Sequence, residues 1–506
     1  MTPQYVLGVD HGSGGCKVTC LDSHGALVSE GQVSYPSLYP QPRWVEQTPE
    51  QWIDAAIKAI GGALRGFSSA QRKEVKAIAF TAPHHVGVLL DDDGNVLRNA
   101  IMWNDQRSGE QAEWLNANYG KEIYAITNNA PNPTWTLCQF LWLKQHEPQL
   151  YAKIRKVAFM KDYVRYRFCG VLATDAIEAE GTLFYDIHKQ RWSEPLLKLI
   201  DLDPAQLPDV YAPTDICGGL AAEMAEKLGL QAGISVVFGT ADTAAEVYGC
   251  GTSEDGDGVV KLATAGNFTL VSSRLPNNPK LTAYHHVVKD LFYQNSATNF
   301  AAASFRWFKE IFYKETEKNL TGQSIYAAIV EEIGSIPPGA EGLLFQPYLN
   351  GERSPHWDPY LRGSFFGLTA RHGRAHFARA VLEGVGFSLR DCRGELSELP
   401  QKPLKIIGGG SKGRGWVQIM ANMLNAEMEV MTHSDASFGA ALIAATALGW
   451  FADSGEAVRK SQTVKERISP QAEIAAVYDE LYPIYRALHD QTAGLCRQLS
   501  DFQRNA

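Results

Sequence analysis

The feature that most constrains this chain is a unit that occurs twice: an apolar strand, a tight turn of glycine and small residues, and a second strand running back. The first copy runs from Tyr5 through Val9 to Asp10, turns over His11 to Gly15, and returns over Cys16 to Leu21. Ser23-His24-Gly25 turns the chain again and Leu27 to Val33 resumes a strand, which makes a β-meander. The second copy has Val259 to Leu262 as a strand, Ala263 to Gly266 as the turn and Asn267 to Ser272 as the return strand. Helical spacing of apolar residues recurs at Pro49 to Leu64, Phe377 to Leu396 and Trp416 to Leu424. Two such hairpins among alternating strands and helices predict two related α/β domains facing each other. The boundary falls near Tyr248-Gly249-Cys250-Gly251, dividing the chain into residues 1–247 and 248–506. Pro470 to Arg504 reads as a helical tail that packs back on a domain.

With 506 residues, 45% of them hydrophobic, the chain can build more than one core. Its net charge of −9, without a basic run, speaks against nucleic acid or an anionic membrane surface as a partner. The eight cysteines show no C-x-x-C pair and no zinc-type spacing with histidine, so they read as reduced, buried thiols. The first strand starts almost at once, with no signal-peptide pattern, and no apolar run is long enough to cross a bilayer. A cytoplasmic enzyme is the expectation.

Phosphoryl transfer needs positioning and charge stabilisation more than covalent chemistry. Glycines and small residues let backbone approach phosphate oxygens, a role open to Asp10-His11-Gly12-Ser13-Gly14-Gly15 and to Ala263-Thr264-Ala265-Gly266. Both also read as ordinary hairpin turns. Asp10, closing a strand before such a loop, suits Mg²⁺ or an Asx turn. Asp242 stands where the apolar run Val236-Val237-Phe238 ends and a helix begins. There it is either a helix cap or an acceptor for a hydroxyl proton. Ile406-Ile407-Gly408-Gly409-Gly410-Ser411-Lys412 is a strand entering a glycine turn before a helix, which suits a nucleotide or a plain turn. Polar residues beside aromatics, at His84-His85, Trp103 to Arg107 and Trp44 to Gln47, offer what a polyol requires, or are loop polarity over packed rings.

Taken together and in order, GVDHGSGGCKV, RWVEQTPEQW, LLDDDGNVLRNAIMWNDQRS, KDYVRYRFCG, FGTADTAAEVYG, QPYLNGERSPHWDPYLRGSFFGLT, IIGGGSKGRGWVQIMANML and ASFGAALIAA resemble the FGGY carbohydrate kinase family, and within it the xylulokinases. The match covers most of the chain, from about Tyr5 to Trp450. The resemblance implies two actin-like (ribonuclease H-like) domains with the active site in the cleft between them, and MgATP as phosphoryl donor. It implies Asp242 as general base and Asp10 beside the metal and the transferring phosphate. Gly12 and Ser13 would form the first phosphate loop, Thr264 and Gly266 the second. Gly409, Gly410 and Ser411 would line the adenosine pocket, with Gly439 nearby. His84, His85, Trp103, Asp105, Asp242 and Thr243 are the expected sugar contacts. D-xylulose leads the candidate acceptors, another ketose or a polyol follows, and a homodimer is compatible with the family.

The chain departs from that pattern at four places. Ala82-Pro83-His84-His85-Val86 stands where Gly-Gln-Met-His-Gly is usual, Thr243 replaces Asn, Ala263-Thr264-Ala265-Gly266 replaces Gly-Thr-Ser-Gly, and Gln139 replaces Lys. The Arg-Glu pair of a glycerol kinase is missing near His84. Retention of Asp10, Thr264 and Asp242 argues against a non-catalytic protein on the same scaffold, and the His85 and Trp103–Arg107 clusters argue against an ATPase without a small substrate.

Overall fold

A computed structural model describes residues 3–320 and 324–505. In its first sheet, β1 (Tyr5–Gly12), β2 (Gly15–Asp22) and β3 (Leu27–Ser34) form the meander. β4 (Val75–Ala82), β5 (Ile216–Gly219) and β6 (Ser235–Ala241) extend it in the order β5-β6-β4-β1-β2-β3. β1, β3, β4 and β6 run in one direction, and β2 and β5 run against them. The second sheet repeats the arrangement. β7 (Gly258–Leu262), β8 (Gly266–Ser272), β9 (Thr282–His285), β10 (Phe292–Thr298), β11 (Leu404–Ile407), β12 (Met428–Met431) and β13 (Val464–Ile468) lie in the order β9-β10-β8-β7-β11-β12-β13. Here β7, β11 and β12 are parallel, while β8, β10 and β13 are antiparallel to their neighbours. Only the edge strand β9 lacks a counterpart in the first sheet.

The first turn is tighter than the glycine run suggests. His11 pairs with Cys16 and Gly12 with Gly15, so only Ser13 and Gly14 make the bend. Gly15 is glycine because of the next strand: a Cβ there would lie 2.6 Å from the Val33 carbonyl oxygen of β3.

Helices cover the sheets. On the first domain lie α1 (Pro49–Ala63) and α2 (Met160–Cys169). Then α3 (Asp242–Gly249) carries the chain from the first sheet to the second. On the second lie α4 (Arg374–Gly394) and α5 (Arg414–Leu424). α6 (Ala436–Ala447), from the crossover between β12 and β13, packs across α3 and onto β1, β4 and β2 of the first sheet. The approach is so close that a Cβ at Gly8 would lie 2.0 Å from the Ser437 carbonyl oxygen, and one at Gly439 would lie 2.0 Å from that of Ala245. The halves therefore interlock through two crossing helices. The tail is α7 (Ala472–Asn505), which buries Tyr478 and Tyr485 and stacks Tyr485 on Phe387 at 5.0 Å. No helix among the described residues is long and apolar enough to cross a membrane.

Candidate active site

The parallel strands β1, β4 and β6 end together. Asp10 is in register with Thr81, and Thr81 with Thr240. Asp10, the His84-His85 pair just beyond β4, and Asp242 just beyond β6 thus emerge from one sheet edge.

Asp10 has a buried oxygen, Oδ1, with no hydrogen-bond partner among the described residues. Burial pushes its carboxyl well above the usual range; nearby Asp242, Asp435 and Glu246 push the same way, and Lys261 opposes them. Asp242 is the first residue of α3, and the cap position belongs to Ala241. Its Oδ1 accepts from the Thr243 N–H at 2.6 Å and from Thr243 Oγ1 at 3.2 Å, so the carboxylate is oriented without being spent as a cap. Oδ2 is the oxygen left to a substrate. One turn further along α3, Glu246 pairs with Lys261 of β7 at 2.5 Å. On the far side, Lys17 joins Asp435 at 2.9 Å and Glu30 at 2.7 Å.

The Ser13-Gly14 turn is exposed and anchored from behind. Gln47 Nε2 donates to the Ser13 carbonyl at 2.7 Å, and Trp52 Nε1 donates to Gln47 Oε1 at 2.8 Å. Tyr35 Oη donates to the Gly12 carbonyl at 2.6 Å. Trp103 Nε1 donates to Ser13 Oγ at 2.7 Å, so the polar atom of this expected sugar contact belongs to the loop, and only the ring face is left for a sugar.

In the second loop Thr264 is exposed, and its carbonyl accepts the N–H groups of Ala301 at 3.0 Å and Ala303 at 3.2 Å. Arg306 Nη2 donates to Thr264 Oγ1 at 3.2 Å, which adds a cation that the sequence pattern gave no reason to single out. At the third loop, Gly408 has φ +90°, a value that favours glycine, and Ser411 Oγ donates to its carbonyl at 2.7 Å. Gly409 and Ser411 reach the surface.

Three of the expected nucleotide-side glycines are closely packed where a Cβ would stand. A Cβ at Gly410 would lie 2.9 Å from the Trp416 ring, and one at Gly266 would lie 2.9 Å from the Ala301 side chain. Gly439 is buried in the α3–α6 crossing. All three are glycine because neighbouring groups occupy the Cβ position.

On the sugar side Asp105 is engaged by protein groups. Asp105 is 1% exposed and saturated: Oδ2 accepts from the Val45 N–H at 2.5 Å and from Arg107 Nη2 at 2.9 Å, while Oδ1 accepts from Arg107 N–H and Nε. Arg107 stacks over Trp44 at 3.8 Å. Asp105 therefore braces the loop that carries Trp103 and Arg107. Gln139 likewise lies beneath the loops, donating to the carbonyls of Met102 and Thr134 at 3.3 Å each.

His85 is suited to binding. Its backbone is left-handed, φ +57°, and its N–H donates to Glu178 Oε1 at 2.8 Å. Its ring stacks on Trp135 at 4.7 Å, and Nδ1 lies 3.0 Å from the Thr134 carbonyl. A carbonyl only accepts, so Nδ1 carries the proton and Nε2 offers a lone pair. Burial holds the pKa down at about 4, which keeps the ring neutral. His84 stacks on Tyr284 at 4.6 Å and meets Tyr293 Oη through Nε2 at 3.2 Å; both tyrosines come from the second sheet. Sequence reasoning missed Glu178, Tyr284 and Tyr293, whose positions carry no local motif.

Twin ribonuclease H-like sheets, joined by crossing helices and opening on two hairpin loops and an acidic edge, define a phosphotransferase of the actin-like class. The chain belongs to the FGGY family of carbohydrate kinases: the family's N-terminal domain matches residues 5–249 and its C-terminal domain residues 264–448. It is 33% identical to the xylulose kinase of Lactococcus lactis, covering 98% of this chain and 99% of that protein. It is 32% identical to the xylulose kinase of Bacillus subtilis, covering 99% and 100%. Among solved structures, a ligand-bound xylulose kinase from Lactobacillus acidophilus superposes with a TM-score of 0.90 at 25% identity, covering 97% of this chain and 98% of that one. The protein is an ATP-dependent sugar kinase.

Proposed function

We propose that the protein transfers the γ-phosphoryl group of ATP to D-xylulose, forming D-xylulose 5-phosphate, with Asp242 as general base. The observation that carries the mechanism is Asp242 itself, oriented by Thr243 through one oxygen and open at the other. The full-length similarity to xylulose kinases supports the choice of sugar.

In this reading residues 1–247 and 248–506 act as two domains, the first holding the sugar and the second most of the nucleotide. His85 Nε2 accepts a hydrogen bond from a sugar hydroxyl, and the face of Trp103 covers the ring or chain. Asp242 Oδ2 takes the proton of the attacking hydroxyl as the new P–O bond forms. The loops at Gly12-Ser13 and Thr264 present backbone to the phosphates, and Gly409 and Ser411 face the adenosine. Closure excludes water, so the hydroxyl meets the phosphorus without competition.

No cluster of three or more metal-ligating side chains occurs among the described residues. Magnesium does not need one, because it keeps several waters and takes one or two carboxylates together with substrate phosphates. The orphaned Oδ1 of Asp10 fits that habit, and Asp10 is the residue that would hold the ion. When bound, Mg²⁺ neutralises charge on the phosphate oxygens. A cytoplasmic setting goes with this function.

The test is ADP release across ketopentoses, ketohexoses, polyols and an aldonic acid. D-xylulose is expected to give the highest kcat/KM; a higher value for any other acceptor replaces it as the substrate.

The base role has a pH signature. Burial raises the Asp242 pKa, and Lys261 holds it back. Asp242 works only when ionised, so kcat/KM falls as pH drops through that raised pKa. Lys261→Met removes the charge that favours the carboxylate and is expected to move the acid limb to higher pH. A limb that stays in place or moves down rules out this electrostatic link.

A further inference from the structure

Strand β9 has one neighbour in its sheet, β10, and its free edge faces the first domain. That edge is not left open. Asn129 acts as a strand residue: its Oδ1 accepts the Ala283 N–H at 3.0 Å and its Nδ2 donates to the Ala283 carbonyl at 2.9 Å. Two residues on, Glu180 Oε2 accepts the His285 N–H at 2.8 Å, and Glu180 Oε1 binds His285 Nδ1. Asn128 Nδ2 and Tyr124 Oη both donate to the Pro276 carbonyl, at 3.1 and 3.3 Å. The Glu180 side chain has no solvent exposure, whereas that of His285 keeps 22%.

Glu180 ends the short helix Ala176–Glu180, and Glu178 of the same helix holds the His85 backbone. Asp175 caps that helix and accepts from Thr240 Oγ1 at 2.9 Å, two residues before Asp242. One five-residue helix thus grips the sugar-side histidine through one glutamate and the opposite domain through the other. Docking β9 brings Tyr284 onto the His84 ring and sets Tyr293 against His84 Nε2.

We propose that Glu180 and His285 are a positioning pair that docks β9 on the first domain, so that Tyr284 and Tyr293 complete the acceptor site from the second domain. Neither residue touches substrate. They act through the two tyrosines, and the sugar site is finished only in the closed arrangement. This rests on the sugar kinase reading and deepens it.

The test uses the full-length protein and whichever sugar the unmodified enzyme turns over fastest, so a wrong guess about D-xylulose does not affect it. Glu180→Ala is expected to raise the sugar KM by about tenfold or more, with the KM for ATP within about twofold of the unmodified value. Glu180→Gln, which still accepts the His285 N–H, recovers most of the loss. His285→Ala gives a similar increase, and the double variant Glu180→Ala/His285→Ala is no worse than the poorer single one. Additive losses, or equal changes in both KM values, overturn the proposal. Tyr293→Phe removes one hydroxyl without emptying a buried position and is expected to raise the sugar KM several-fold. An unchanged sugar KM in that variant overturns the proposal even where Glu180→Ala fails to fold.

Discussion

Asp242→Asn is expected to lower turnover by roughly 10²–10⁴-fold while ATP binding and thermal stability stay near those of the unmodified protein. The size of the loss follows from what the substitution removes. An amide has nearly the shape of the carboxylate and its oxygen still accepts from Thr243, so α3 keeps its start. What disappears is basicity at the free oxygen. Steady-state turnover with the preferred sugar, together with calorimetric titration of a non-hydrolysable ATP analogue, separates the two effects. Turnover within about threefold of the unmodified enzyme in a folded Asp242→Asn variant assigns the proton elsewhere.

The second large effect concerns stability. Lys161 Nζ sits between Asp162 Oδ1 at 2.5 Å and Asp175 Oδ2 at 2.6 Å, and Arg165 reaches Asp162 at 2.8 Å. All four side chains are without solvent exposure. Removing one partner of a buried ion cluster leaves the others charged in a poorly polarisable interior, at a cost of about 3–5 kcal/mol. Lys161→Met is therefore expected to lower unfolding stability by that amount, read as a fall in the urea midpoint. Because Asp175 caps the helix that carries Glu178 and Glu180, the folded fraction is also expected to bind sugar more weakly. A stability change below about 1 kcal/mol excludes the cluster as a main support of this region.

The elements of both hairpins were legible because strand, turn and strand are local and their glycine turns are punctuation. The long tail helix was legible for the same reason. The site was legible less evenly. On local pattern Asp242 reads more readily as a cap than as a base, and it is the two phosphate-type turns and the ordered family motifs that reverse the weighting. The bonding of Asp105 to Val45 and Arg107 was not legible, because loop geometry sets it and spacing does not encode that. Gly266, Gly410 and Gly439 show a more general difficulty. A glycine that admits a phosphate and one that admits a neighbouring group look identical in sequence, since both are defined by the missing Cβ. The residues that close the sugar side were beyond reach for another reason: Glu180 and His285 stand 105 positions apart and meet only across the two domains.

The crossing of α6 over β1 has a consequence for the order in which this molecule comes into being. The face of β1, β2 and β4 that α6 covers is made within the first hundred or so residues of synthesis, yet its cover ends at Ala447. A ribosome making this protein therefore displays an uncovered apolar surface through most of translation, with Gly8 waiting for Ser437. The first domain matures only after the second has nearly emerged, so vectorial folding, domain by domain, is closed to it. Two products divided between β6 and β7 are expected to need each other for stability, although the sheets themselves divide there. The contact that couples the finished halves is thus also the last one the first sheet receives.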